Sequence, residues 1–169
     1  MRAALFLVPA ALVAAAPASA AVYLKIEEAK ALMFPRVKLQ PRFLTLAPAE
    51  AAAIARMSGA VVHSPEIKAW RAPDGGWFIV DQVHGRDDWV TYAIALDRHG
   101  LVTRLEILEC AADYDTVRLP EWRAQFLGAS ASTDLAIQHI SGSTLSSQHI
   151  AQGVKRLLAT YELVLKQLR

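Results

Sequence analysis

The chain has 169 residues, enough for one domain with a sizeable core, and carries 18 basic against 16 acidic side chains for a formal net charge of +2. No cluster of lysine or arginine forms a concentrated basic face, which argues against nucleic acid as a partner. The single cysteine, Cys110, excludes an internal disulfide framework, a C-x-x-C-H haem attachment and a cysteine-ligated iron–sulfur cluster.

The first residues read as an export leader. Arg2 precedes an apolar run from Ala3 to Ala16, and Pro17-Ala18-Ser19-Ala20 supplies the small residues of a cleavage site. The run is shorter than the roughly 20 apolar residues of a membrane span. The expectation is a signal peptide over residues 1–20 and a mature chain that starts at Ala21 in the periplasm. Removing Arg2 with the leader leaves the charge balance almost neutral, and the alanine-rich leader inflates the 54% hydrophobic fraction.

Beyond the leader, Ile26 to Phe34 has one apolar side and is stopped by Pro35, which predicts a short helix. Residues Pro35 to Leu46 read as extended. Pro48 opens a second, alanine-rich helix that ends at Gly59. Residues 21–60 are therefore expected as an N-terminal helical lobe. From Val61 the apolar period changes to two. Strands are predicted at Ile67–Ala72, Trp77–Val83, Trp89–Leu96 and Leu101–Cys110, joined by Pro73-Asp74-Gly75-Gly76, by His84 to Asp88, and by Asp97-Arg98-His99-Gly100. Such short connections predict an antiparallel meander. Pro120 to Gly128 reads as a short helix with proline near its start and glycine at its end. Ala129 to Thr133 reads as a surface linker. The fold class expected is α+β: a curved antiparallel sheet with flanking helices and a C-terminal amphipathic helix.

That last helix follows a hydroxyl-rich turn, Gln138-His139-Ile140-Ser141-Gly142-Ser143-Thr144-Leu145-Ser146-Ser147-Gln148. Ile150, Val154, Leu157, Leu158, Tyr161, Val164, Leu165 and Leu168 share one helix face, and Lys155, Arg156, Glu162 and Lys166 fall off it. Ser143 or Thr144 is the natural N-cap. The exposed N–H groups and positive dipole end of a helix start suit a phosphate. A hydroxyl-rich turn that merely caps a terminal helix needs no ligand, so the turn alone leaves both readings open.

Other patterns point to less. None of the five histidines has the spacing of a helical metal pair, and no metal ligand set is expected. No phosphate-cradling glycine loop and no G-x-S-x-G elbow is present, so no catalytic residues are assigned. Trp70, Trp77, Trp89 and Trp122 are large enough to cover a planar ring, although tryptophans in short strands more often serve the core.

The segment Ser141-Gly142-Ser143-Thr144 resembles the covalent flavin motif of the FMN-binding domain family, which includes the flavin-carrying subunits of the sodium-translocating NADH:quinone reductase and the Rnf complex. The family motif reads Asp-x-x-Ser/Thr-Gly-Ala-Thr. Gln138 stands here in place of its aspartate and Ser143 in place of its alanine. The upstream Trp122-Arg123-Ala124-Gln125-Phe126 is similar to a segment of small exported members, and Tyr114 fits the same members. The Glu and Gly of the family's flavin-facing loop are absent from Ala112-Asp113-Tyr114-Asp115. The resemblance implies a domain over 61–169 whose Thr144 carries FMN through a phosphoester. Around it, Ser141, Gly142, Ser143, Leu145, Ser146, Ser147, Tyr114 and Trp122 are the implied cofactor-binding residues.

The same resemblance implies two partners. A flavin transferase would attach FMN from FAD with Mg²⁺ assistance, and a membrane electron-transfer partner would exchange electrons with the loaded domain. The chain then acts as an electron-transfer flavoprotein domain rather than a stand-alone catalyst. Two alternatives follow from the departures in the motif: a module that holds FMN without a covalent bond, and a flavin-free exported interaction domain of the same fold.

Overall fold

The computed structural model describes residues 21–85, 88–110, 115–138 and 144–168. The leader and its cleavage site lie outside these residues. In chain order the elements are β1 (Ala21–Val22), α1 (Ile26–Met33), β2 (Gln40–Pro41), β3 (Leu44–Thr45), α2 (Pro48–Ser58), β4 (Glu66–Arg71), β5 (Trp77–His84), β6 (Trp89–Leu96), β7 (Val102–Cys110), α3 (Pro120–Ala124) and α4 (Thr144–Leu163). The described strands make one antiparallel, half-barrel sheet in the order β1-β7-β6-β5-β4-β2, with β3 pairing with β4 off this path. The α+β class expected from the sequence is the observed one.

The meander forms because each turn carries its own chemistry. Between β4 and β5, Asp74 Oδ1 accepts from Gly76 N at 3.0 Å, and Ala72 N donates to Gly76 O at 2.8 Å. Between β6 and β7, Asp97 Oδ1 accepts from both His99 N and Leu101 N. There Gly100 has φ +81°, and a Cβ on it would lie 2.2 Å from the Tyr161 ring. Glycine is needed on both counts.

The strands place alternate residues on two faces. Trp77, Ile79, Val83, Val90, Tyr92, Ile94 and Leu105 point to the main core, where α2 and α4 pack side by side. Trp70, Phe78, Val80, Ala93 and Leu108 point the other way, under α1 and its one fully buried residue, Ala29. Residues 21–60 are woven into this arrangement. Strand β1 pairs with β7, β2 and β3 pair with β4, and α2 lies against α4.

Helix α4 buries the apolar face read from the sequence. Ile150, Val154, Leu157, Leu158, Tyr161 and Leu165 are all nearly inaccessible, each worth about 1.5–3 kcal/mol relative to exposure. A helix cap contributes only about 1 kcal/mol, so this face, not the cap, decides where α4 lies. The helix stops at Leu163, and a single 3-10 turn carries the chain over Leu165–Gln167. Leu168, expected on the buried face, is 39% exposed because the periodicity no longer applies past that turn. The linker expected at Ala129 is also partly structural, since Ala129 is buried and its carbonyl accepts from Val102 N, while Gly128 N donates to the Val102 carbonyl.

Gly153 lets α4 approach the sheet. A Cβ there would meet Tyr92 Oη at 2.4 Å and Val83 Cγ1 at 2.8 Å. The alanine side chain gains about 1 kcal/mol of helix propensity, whereas overpacking costs about 1–3 kcal/mol. Gly153→Ala is therefore expected to lower the midpoint of denaturant unfolding; an unchanged or higher midpoint would show that the close contact does not govern the packing.

Candidate functional site at the start of the last helix

One end of the sheet gathers the end of β5, the start of β6 and the end of β7. The first turns of α4 lie at this end. His149 Nδ1 donates to the His84 carbonyl at 2.5 Å, tying the helix to the last residue of β5. The His84 ring meets Trp89 edge to face with centroids 5.2 Å apart, and Trp89 is 47% exposed.

Thr144 is the first residue of α4. Ser141, Gly142, Ser143 and Tyr114 lie outside the described residues. The expected residues within them divide by exposure. Thr144 and Leu145 are open to solvent, while Ser146 and Ser147 are buried against the body of the protein. Ser147 Oγ donates to the Thr144 carbonyl at 2.9 Å and holds the first turn together. The chain enters this region tethered to α3, because Gln138 N donates to Gln125 Oε1 at 2.8 Å.

Trp122 lies in the core, 1% exposed, with its ring edge-on to Phe126 at 5.2 Å. Both faces are covered by protein in this arrangement. Its Nε1–H is nevertheless buried without an acceptor among the described residues, one helical turn from Gln125. Among the described residues no three His, Cys, Asp or Glu side chains come together as a metal site.

Sequence reasoning missed the group that seats this helix. Arg156, expected off the buried face, is 8% exposed and reaches β5. Its Nη2 bonds to Asp81 Oδ2, its Nη1 donates to the Val61 carbonyl at 3.0 Å, and Tyr92 Oη donates to the same Asp81 oxygen at 2.7 Å. The cause is the shape of the sheet. Strand β4 pairs with β5 only as far as Val80, while β2 and β3 follow one register along its other edge. The outward carbonyls of Gln82 and His84 thus have no strand partner, and α4 supplies Arg156 and His149, two turns apart, to cover them. A signal was present in the sequence. Asp81 occupies an inward position between Ile79 and Val83, and a carboxylate there requires a buried partner.

A cleft of about 790 Å³ opens at the same end of the sheet, lined by the end of β5, Trp89 and Thr91 of β6, the end of β7 and Arg156, and bounded by the first turn of α1 and the segment around His63. None of the cofactor-binding residues expected from the sequence lines it.

No protein-family model matches the chain, and no curated protein matches it. The functional reading therefore rests on the residues and their placement.

Removing Arg156 would leave Asp81 without its cation. Arg156→Ala is expected to cost roughly 3 kcal/mol, the low end for breaking a buried pair because Asp81 keeps some solvent contact; urea unfolding measures it, and a loss below about 1 kcal/mol, typical of a surface pair, would contradict the burial. The Tyr92 phenol is pushed well above its ordinary value of 10.0, first by burial and then by the negative charge of Asp81. The folded protein holds this proton more tightly than the unfolded chain. Its contribution is complete below pH 10.0 and is lost as pH rises beyond it. Tyr92→Phe is expected to flatten the alkaline decline of stability, read from unfolding midpoints between neutral and alkaline pH.

Proposed function

We propose that this chain is an exported electron-transfer flavoprotein that carries FMN as a phosphoester on Thr144. The observation that carries the reading is the solvent-open Thr144 side chain on the first residue of a twenty-residue helix, directly after Ser141-Gly142-Ser143. A modifying enzyme needs such access. The surroundings fit a phosphate-tethered group: the first turn of α4 offers backbone N–H groups free of helical partners, and the dipole there favours negative charge.

Each residue then has a defined task. The Thr144 hydroxyl is the nucleophile of attachment: its oxygen bonds to the FMN phosphorus of FAD, its proton leaves, and AMP departs. The transferase with its Mg²⁺ catalyses this step, and the chain is the substrate. Ser147 holds the Thr144 carbonyl and so orients the first turn. Gln125 fixes the approach of the chain through Gln138 N. His149 locks the helix end to β5. Bound FMN supplies one- or two-electron transfer, and neighbouring hydrogen bonds and charges tune its potential.

In-gel fluorescence under denaturing conditions tests the reading. Co-exported with an active flavin transferase, the wild-type protein is expected to give a fluorescent band and Thr144→Ala a dark one. A dark wild-type band beside a fluorescent control substrate would overturn covalent attachment. Yellow protein that loses its colour on denaturation would favour the non-covalent module instead, consistent with Gln138 in place of the motif aspartate.

A further inference from the structure

The 790 Å³ cleft has a use that does not depend on the flavin reading. It exists because helix α1, eight residues and about 12 Å long, covers only part of a sheet face whose strands β5 and β6 run about 27 Å. The helix closes over Phe78 and Ala93, and beyond them the face is open. The volume lies in the range of small-molecule sites, about 300–1,000 Å³.

The charges along the cleft are unevenly matched. Its carboxylates are Glu27, Glu28, Glu66, Asp81 and Glu109. Glu27 pairs with Lys30 at 2.7 Å, and Asp81 pairs with Arg156. Glu28 and Lys25 lie together at the start of α1, where Glu28 Oε2 is 2.8 Å from Lys25 N. Glu66 and Lys68 are two residues apart on β4 and so rise from one face. Glu109 has no cation beside it among the described residues. Its ladder neighbours are Val22 on β1 and Thr91 on β6. Thr91 is uncharged and bonded to Gln82 at 2.9 Å, so no basic side chain of the ladder reaches this corner.

What surrounds Glu109 suits a cation with an apolar body. Trp89 precedes Thr91 by two residues on the same face and is therefore diagonal to Glu109, a backbone spacing of about 7–8 Å that aromatic and long side chains bridge. It lines the same cleft and is 47% exposed, whereas the other three tryptophans are buried. The π-face of an indole attracts a cation more strongly than any other aromatic side chain does. A carboxylate next to it adds a full opposite charge. The adjoining wall is apolar: Leu24 and Leu108 are joined through a backbone bond of 3.2 Å, and Val22, 63% exposed, stands beside them. Exposed apolar side chains around a concave surface mark a place for a ligand.

We propose that the cleft binds an alkylammonium ion, with its head between Trp89 and Glu109 and its tail on Leu24 and Leu108. Calorimetric titration of protein expressed without a transferase tests this with octyltrimethylammonium, octyl sulfate and tetramethylammonium, the octyl probes below their micellar concentrations. Octyltrimethylammonium is expected to bind one molecule per chain. The anion of equal tail length is expected to bind about tenfold more weakly, because its head meets Glu109 as a like charge. Tetramethylammonium, which has the head alone, is expected to bind more weakly than the octyl cation. Trp89→Ala is expected to weaken octyltrimethylammonium about fivefold, and Glu109→Gln about threefold, with circular dichroism verifying that both variants fold. Equal binding of the octyl cation and anion, an unchanged affinity in either variant, or no saturable binding of octyltrimethylammonium would each overturn the proposal. Thr144→Ala is expected to bind the octyl cation as the wild type does, so loss of the flavin reading would leave this result standing.

Discussion

The close seating of α4 on the sheet is the contact from which the candidate site takes its position. Two kinds of force hold it. The apolar face from Ile150 to Leu165 supplies most of the stabilisation, because burying several large side chains outweighs any single polar bond. Burial has no preferred direction, however, and would tolerate a helix shifted along its axis. Gly153 beneath Tyr92, Arg156 on Asp81 and the Val61 carbonyl, and Tyr161 Oη on the Arg98 carbonyl remove that freedom. Thr144 is carried to the His84–Trp89 end of the sheet as a consequence of this registration.

The two faces of the sheet are covered unequally. A twenty-residue helix and an eleven-residue one close the first face, while eight residues of α1 cover part of the second. The first face has the density of a core. The second passes from a packed cluster into an open cleft within a few residues along each strand. Strand β4 contributes to the same asymmetry because its pairing with β5 ends at Val80, and Arg156 and His149 cover the β5 carbonyls beyond that point from one side.

Polar groups in this protein are placed where the chain would otherwise leave a backbone group without a partner. Asp74 and Asp97 saturate turn amides, Glu28 and Glu50 reach back to helix starts, and Arg156 and His149 take strand carbonyls. The Trp122 indole N–H and Arg71 Nε are exceptions, buried without a partner among the described residues.

The order and type of the elements were legible in the sequence because each depends on local chemistry. Alternation with period two defined the four long strands, turn residues separated them, and one apolar stripe identified α4. The hydroxyl at Thr144 was legible for the same reason, since a motif and a helix start are both local. What only the tertiary structure decided are the relations between distant residues. Arg156 reads as a surface cation on its own helix and becomes buried because β4 ends its pairing early. Trp122 and Trp89 are alike in composition, yet the first is enclosed under Phe126 and the second half exposed. The cleft has no sequence signature, because it arises from the mismatch between a short helix and long strands. Periodicity states which side of an element is apolar; how much of that side finds a partner is set by lengths and crossings in three dimensions.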